Sequence, residues 1–189
     1  DGFFYLGLAY YNLNDFKTSC NCFFKCEDFL TDKKLFRIAY SASLFNYANQ
    51  LYIKEDVKNA KELFLKSISL NNEAYPSYFQ LGLIYLFEND FENSKKIFEF
   101  LNSVFPKNDA IKVSLSYIYN NLNEMDKFEK ILIDLKERGA LPNLSEYEFK
   151  KVLGFTLFRK RKYKEVIPLF IHLYNSKKYD INLLHCLAT

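Results

Sequence analysis

Apolar positions between Tyr75 and Asn108 recur at helical spacing. Tyr78, Leu81, Gly82 and Tyr85 are separated by three, one and three positions, so they share one face of a helix. Asn89-Asp90 interrupts the pattern. Ser94, Phe98 and Leu101 then mark one face of a second helix, and Pro106 closes the unit. The same pattern occurs at the start of the chain, with Leu6-Gly7 and Tyr10 on one helix, Asn14-Asp15 as the turn, and Ser19, Phe23 and Cys26 on the next. A polar link from Asp28 to Lys34 reads as a loop before a longer helix, Leu35 to Tyr52. That helix carries Tyr47, Ala48 and Leu51, and beyond Glu55-Asp56 come Ala60, Phe64 and Ser67.

Two further copies follow. One has Leu115, Ser116 and Tyr119, then Phe128, Leu132 and Leu135, with Gly139 as a helix stop and Pro142-Asn143 opening a loop. The other has Leu153-Gly154 and Leu157, then Val166, Phe170 and Leu173. Corresponding positions lie 41, 34, 34 and 38 residues apart. The extra seven between the first two copies are expected to lengthen the loop and add about a turn at Leu35 to Tyr40. Five units result, at about 1–34, 35–72, 73–108, 109–143 and 144–180, with 181–189 as the start of a further or capping helix. Ten helices are expected to tile this single array.

The central unit resembles the tetratricopeptide repeat, a 34-residue helix–turn–helix with the pattern W-x2-L-G-x2-Y, then A-x3-F, then P. Tyr78 stands for the tryptophan and Ser94 for the alanine. The resemblance implies an all-α fold, a right-handed superhelix of stacked hairpins, because each hairpin leaves an apolar face that only its neighbours can cover. It also implies a protein-binding scaffold whose first helices line a concave groove. Carried over position by position, the groove is lined by Phe4, Leu8 and Tyr11, by Phe45, Asn49 and Tyr52, and by Phe79, Leu83, Leu86 and Phe87. Val113, Tyr117, Asn120 and Asn121 continue it in the fourth unit, and Lys151, Phe155, Phe158 and Arg159 in the fifth. An exposed lining this aromatic would exceed the apolar patch a soluble monomer tolerates, so a partner's extended segment or helix is expected to fill it. The competing reading is that curvature or flanking chain covers these residues.

The family's chaperone-binding members grip a terminal carboxylate with lysine, asparagine and arginine at set groove positions. Read from the first unit, those positions hold Phe4, Leu8, Asn46, Pro76 and Gln80 here, and later starting points also lack the basic residues. Without them there is no charge-assisted grip on a carboxylate. An adaptor that reads short peptides some other way stays open as the alternative to a permanent complex subunit. The order of units further resembles the repeat scaffold of the polymerase-associated-factor transcription elongation complex, through YANQLYIKEDVKNAKELF at Tyr47 to Phe64 and SYFQLGLIY at Ser77 to Tyr85. That resemblance implies a nuclear scaffold for other subunits.

Composition changes little in this picture. Five glycines and four prolines disfavour a loop-rich β protein, and a net charge of +3 is too small to point to nucleic acid as a direct ligand. Charge is concentrated in one place. Lys150, Lys151, Arg159, Lys160, Arg161, Lys162 and Lys164 fall within fifteen residues that hold no acid, and they offer a surface for an acidic partner if not simply a solvated turn. Catalysis finds no footing: His172 and His185 lie apart, and neither H-E-x-x-H, a phosphate-cradling glycine loop nor G-x-S-x-G is present. No enzyme, cofactor, metal or small-molecule substrate is expected. Cys20, Cys22, Cys26 and Cys186 lack the paired spacing of a zinc site and read as reduced packing residues. No apolar run reaches the roughly 18 residues of a membrane span. An intracellular setting, nuclear or cytoplasmic, is expected, and the chain, which begins at Asp1, is expected to be a piece of something longer.

Overall fold

The computed structural model describes residues 2–30, 33–141 and 145–176, and all regular structure among them is α-helical. The helices are α1 (Gly2–Asn12), α2 (Phe16–Phe24), α3 (Glu27–Leu30), α4 (Lys34–Ile53), α5 (Val57–Leu70), α6 (Tyr75–Phe87), α7 (Phe91–Val104), α8 (Asp109–Asn121), α9 (Met125–Glu137), α10 (Glu146–Arg159) and α11 (Tyr163–Ser176). They pair as hairpins α1/α2, α4/α5, α6/α7, α8/α9 and α10/α11. The chain forms two compact units, Asp1–Pro106 with the first three hairpins and Lys107–Thr189 with the other two.

Every hairpin turns in the same way. Asn14, Glu55, Asn89, Asn123 and Arg161 all have φ between 57° and 64°, the left-handed conformation that ends a helix. In each case the next residue's N–H reaches back to a carbonyl of the first helix's last turn: Asp15 to Tyr10, Asp56 to Leu51, Asp90 to Tyr85, Glu124 to Tyr119 and Lys162 to Leu157, at 2.8–3.0 Å. In the first three hairpins that next residue is Asp15, Asp56 or Asp90. Its carboxylate then accepts the N–H of Thr18, Asn59 or Asn93 and so caps the second helix. One aspartate thus closes one helix and opens the next.

Three glycines set how closely the paired helices approach. A Cβ on Gly7 would stand 2.8 Å from the buried Phe23 ring and one on Gly82 2.9 Å from Phe98; Gly154 faces Phe170 in the same way. The Ser19 hydroxyl donates to the Gly7 carbonyl at 2.8 Å and Ser94 to Gly82 at 2.9 Å, so these small residues are tied as well as close-packed. Phe23, Phe36, Tyr40 and Leu44 centre one core cluster of the first unit, and Ala48, Ala60, Phe64 and Leu81 another. In the second unit, Leu157, Val166, Phe170 and Leu173 pack together.

The polar link is where the structure departs from expectation. In place of a plain loop it contains α3, whose Leu30 is buried, making eleven helices among the described residues where ten were expected. The added length at the start of α4 is present, and Phe36 and Tyr40 from it stack on Phe23 at 5.9 and 5.6 Å between ring centroids. Asp28, Phe29, Lys33 and Lys34 of the link are exposed and Leu30 alone among its described residues reaches the core, so one buried side chain anchors a short helix in a stretch read as loop from its charges. Gly139 ends α9 with φ 67°, as expected. Pro142-Asn143, His185, Cys186 and the helix expected at 181–189 lie outside the described residues.

Candidate functional site

In the first unit, α1, α4 and the start of α6 border a hollow of about 380 Å³. Tyr11 comes from α1, Ala42, Phe45 and Asn46 from α4, and Ala74 and Pro76 from the entry to α6. Asn46 Nδ2 donates to the Tyr11 hydroxyl at 3.3 Å and to the Ala42 carbonyl at 3.0 Å, which fixes the amide across the gap between two hairpins. The Tyr11 ring meets Phe16 edge-on at 5.5 Å, so its position is set from behind. Ser41, Ser67 and Ser77 also line the hollow, and their hydroxyls form a chain with both links at 2.8 Å. Ser41 further donates to the Ser67 carbonyl at 3.0 Å. These polar atoms satisfy one another, which leaves an apolar surface held at the hollow by a rigid, fully bonded base.

The residues expected to line a groove divide by role. Phe4, Phe45 and Phe79 occupy one repeat position, and each stacks on the buried phenylalanine of its own hairpin: Phe23 at 5.9 Å, Phe64 at 6.0 Å and Phe98 at 5.5 Å. Phe155 stacks on Phe170 at 5.2 Å and Phe158 meets Tyr163 at 5.6 Å. These rings are half-buried supports as much as surface. Leu8 packs on the first core cluster and Tyr52 on the second, while Asn49 and Leu83 are half-buried. Phe4 lines a separate cleft with Leu30, Leu35 and Phe36. Phe87, 73% exposed, and Tyr117, 52% exposed, stand largely in water, and Val113, Asn121 and Arg159 are exposed as well. The structure therefore brings Tyr11 and Phe45 together at the hollow, and does not bring the other positions of the first unit to it. Ala42 went unnoticed in the sequence, since it is neither aromatic nor charged, and Asn46 and Pro76 entered only as positions that lack the carboxylate grip.

The basic turn is largely engaged within its own unit. Lys160 bonds Glu129 and lies 2.7 Å from Asp126, whose carboxyl it holds below the usual carboxylate range while its own pKa rises. Arg159 donates to Asn120 Oδ1 at 2.7 Å, which gives that asparagine a structural bond. Lys150 pairs with Glu146 and Lys162 with Glu165, both at 3.4 Å. Lys151 is half-buried, and Arg161 and Lys164 are exposed. The acids missing from the run itself are supplied by α9 and by the flanking turns.

Cys20, Cys22 and Cys26 are buried free thiols. Burial pushes Cys20 up to about 12 against the nearby Lys66 charge, so at neutral pH it is a thiol and not a nucleophile. Among the described residues no three His, Cys, Asp or Glu side chains converge as a metal set, and no helix is long and apolar enough to cross a membrane.

Residues 75–107 match the tetratricopeptide repeat family. Among solved structures, YrrB, described as a TPR protein with an unusual peptide-binding site, superposes with a TM-score of 0.60 at 12% identity, covering 99% of this chain and 91% of that one. The fold is that of tetratricopeptide-repeat proteins. MamA AMB-1 gives a TM-score of 0.57 at 14% identity, covering 96% of this chain and 94% of that one. A tetratricopeptide repeat protein from Parabacteroides merdae gives 0.56 at 12%, covering 99% and 70%. No curated protein matches the sequence. The repeat's first helices are thus α1, α4, α6, α8 and α10, and the hollow lies on first helices of the first three repeats.

Proposed function

We propose that the chain is a non-enzymatic scaffold that holds a segment of a partner protein against α1, α4 and α6. The observation that carries this is the hollow of about 380 Å³ faced by Tyr11, Ala42, Phe45 and Pro76, an apolar recess on first helices set over a fully bonded serine base. Recesses of that size take one bulky side chain of a partner, and such anchors supply most of the affinity of a protein interface. Repeat folds use this side of the hairpins for extended partners. Phe87 and Tyr117 are further exposed anchors in their own units, and Arg161 and Lys164 are the exposed remainder of the basic turn for an acidic partner.

Membership of a larger complex is the narrower form of the proposal. The transcription elongation scaffold is its most specific version and rests on the resemblance at Tyr47 to Phe64 and Ser77 to Tyr85. An intracellular setting rests on the three buried free thiols. The alternative is an adaptor that reads short peptides. A complex subunit co-purifies with its partner at fixed stoichiometry, whereas an adaptor binds a free peptide at micromolar strength and releases it.

Ala42→Arg tests the site, because Ala42 is a half-buried wall residue of the hollow and arginine is a good helix former. Partners recovered with the wild-type chain should be reduced about tenfold or more with this variant. Equal recovery with both would overturn the site.

A further inference from the structure

Seven residues more than the repeat length separate the first two hairpins, and they build a second recess. The added turns of α4 place Lys34, Arg37 and Ile38 opposite Ser69 and Leu70 at the end of α5 and the connection Asn71 to Glu73. Between them lies a recess of about 460 Å³. Its walls share Ile38, Asn71 and Glu73 with the hollow at Tyr11 and Phe45, so the two form one continuous depression. The two ends differ in chemistry. The inner end adds the apolar Phe45, Ala42 and Pro76, while the outer wall adds two exposed cations, Lys34 and Arg37; the single acid, Glu73, borders both ends. Lys33, the N-cap of α4, makes no side-chain cap bond, and the positive end of this twenty-residue helix lies at Lys34 in the outer wall.

We propose that this depression selects partner segments in which an acidic side chain follows or precedes a bulky apolar one at a fixed separation. The inference rests on the reading of the hollow as a partner site and adds the chemistry of the partner. The apolar residue fills the hollow and the carboxylate reaches Lys34 and Arg37. From Phe45 back to Arg37 is eight residues of helix, about 12 Å at 1.5 Å per residue, which an extended peptide spans in about three or four residues. The apolar anchor supplies most of the affinity. The exposed charges contribute less energy but decide between sequences and between the two directions of the segment. The cations stand on the inserted turns and not at the positions where chaperone-binding repeats hold a terminal carboxylate, so an internal Asp or Glu fits and a free chain end is not required.

The test screens the whole chain against a combinatorial library of nine-residue peptides. The recovered peptides are then measured by fluorescence anisotropy on wild type, on Lys34→Glu/Arg37→Glu and on Ala42→Arg. Lys34 and Arg37 are exposed, and circular dichroism checks that each variant is folded. Recovered peptides should carry Asp or Glu three or four positions from Phe, Tyr, Leu or Ile. The charge-reversed variant should bind them about tenfold more weakly and regain affinity when the peptide acid is replaced by Lys. Peptides that are lost with Ala42→Arg but show no acid preference and ignore the charge reversal would overturn this inference and leave the hollow as a partner site. Peptides that ignore Ala42→Arg as well, or no recovered peptides at all, would overturn both.

Discussion

At the scale of single residues, the repeat is held by small side chains that let large ones in. Gly82 admits the edge of Phe98, which is fully buried, and a methyl group there would meet both that ring and Ile97 Cγ2 at 3.1 Å. Hairpin two carries Ala48 at the same position with Phe64 fully buried beside it, so the backbone separation there already allows a Cβ. Gly82→Ala should destabilise the first unit by about 1–3 kcal/mol, the usual range for overpacking a filled core. Gly2→Ala, with nothing within 4 Å of the added atom, should leave stability within about 0.5 kcal/mol of wild type. Urea denaturation of the two variants checks the contrast. Gly7, Gly82 and Gly154 were legible in the sequence as a residue recurring at one repeat position. The serine chain through Ser41, Ser67 and Ser77 was not, because buried and solvated serines read the same in one sequence.

At the scale of elements, the shared turn decides where each helix stops and the next begins. Turn pairs such as Asn14-Asp15, Glu55-Asp56 and Asn89-Asp90 were visible as breaks in the apolar pattern, and each became a left-handed residue followed by a helix cap. Hairpin four keeps the turn but begins α9 with Glu124, whose longer side chain makes no cap bond. Glu124→Asp should restore the bond to the third residue of α9 and stabilise the second unit by about 0.5–1 kcal/mol. A thermal melt should show a rise of a few degrees, and an unchanged or lower midpoint would mean that the Glu124–Lys127 ion pair at 2.9 Å contributes more than the cap. Element existence was readable because the 3.6-residue period is strong. α3 was not, since a four-residue helix with only Leu30 buried has no period to show.

At the scale of the whole molecule, the fold was readable from repetition, while the lining of the hollow was readable only in part. Five copies in register can bury their apolar faces only by stacking, and the described helices do so in two compact units. Position-by-position transfer from the repeat family named Tyr11 and Phe45, which line the hollow, together with Phe4, Phe79 and Phe155, and all four phenylalanines stack on their own cores. A helical face gives direction, not depth, so exposed and supporting rings look alike in a sequence. The charged end of the depression was hidden for another reason. The seven inserted residues stood out as an irregular spacing, but the recess they make depends on the opposing end of α5. The central claim is that a partner segment lies on α1, α4 and α6, and the most direct measurement of it is amide hydrogen exchange of the whole chain with and without a peptide recovered by selection. Residues 34–46 and 71–77 should exchange more slowly in the complex, with α7 and α11 unchanged. Protection confined to α7, to the second unit or to the basic turn at 159–164 would contradict it.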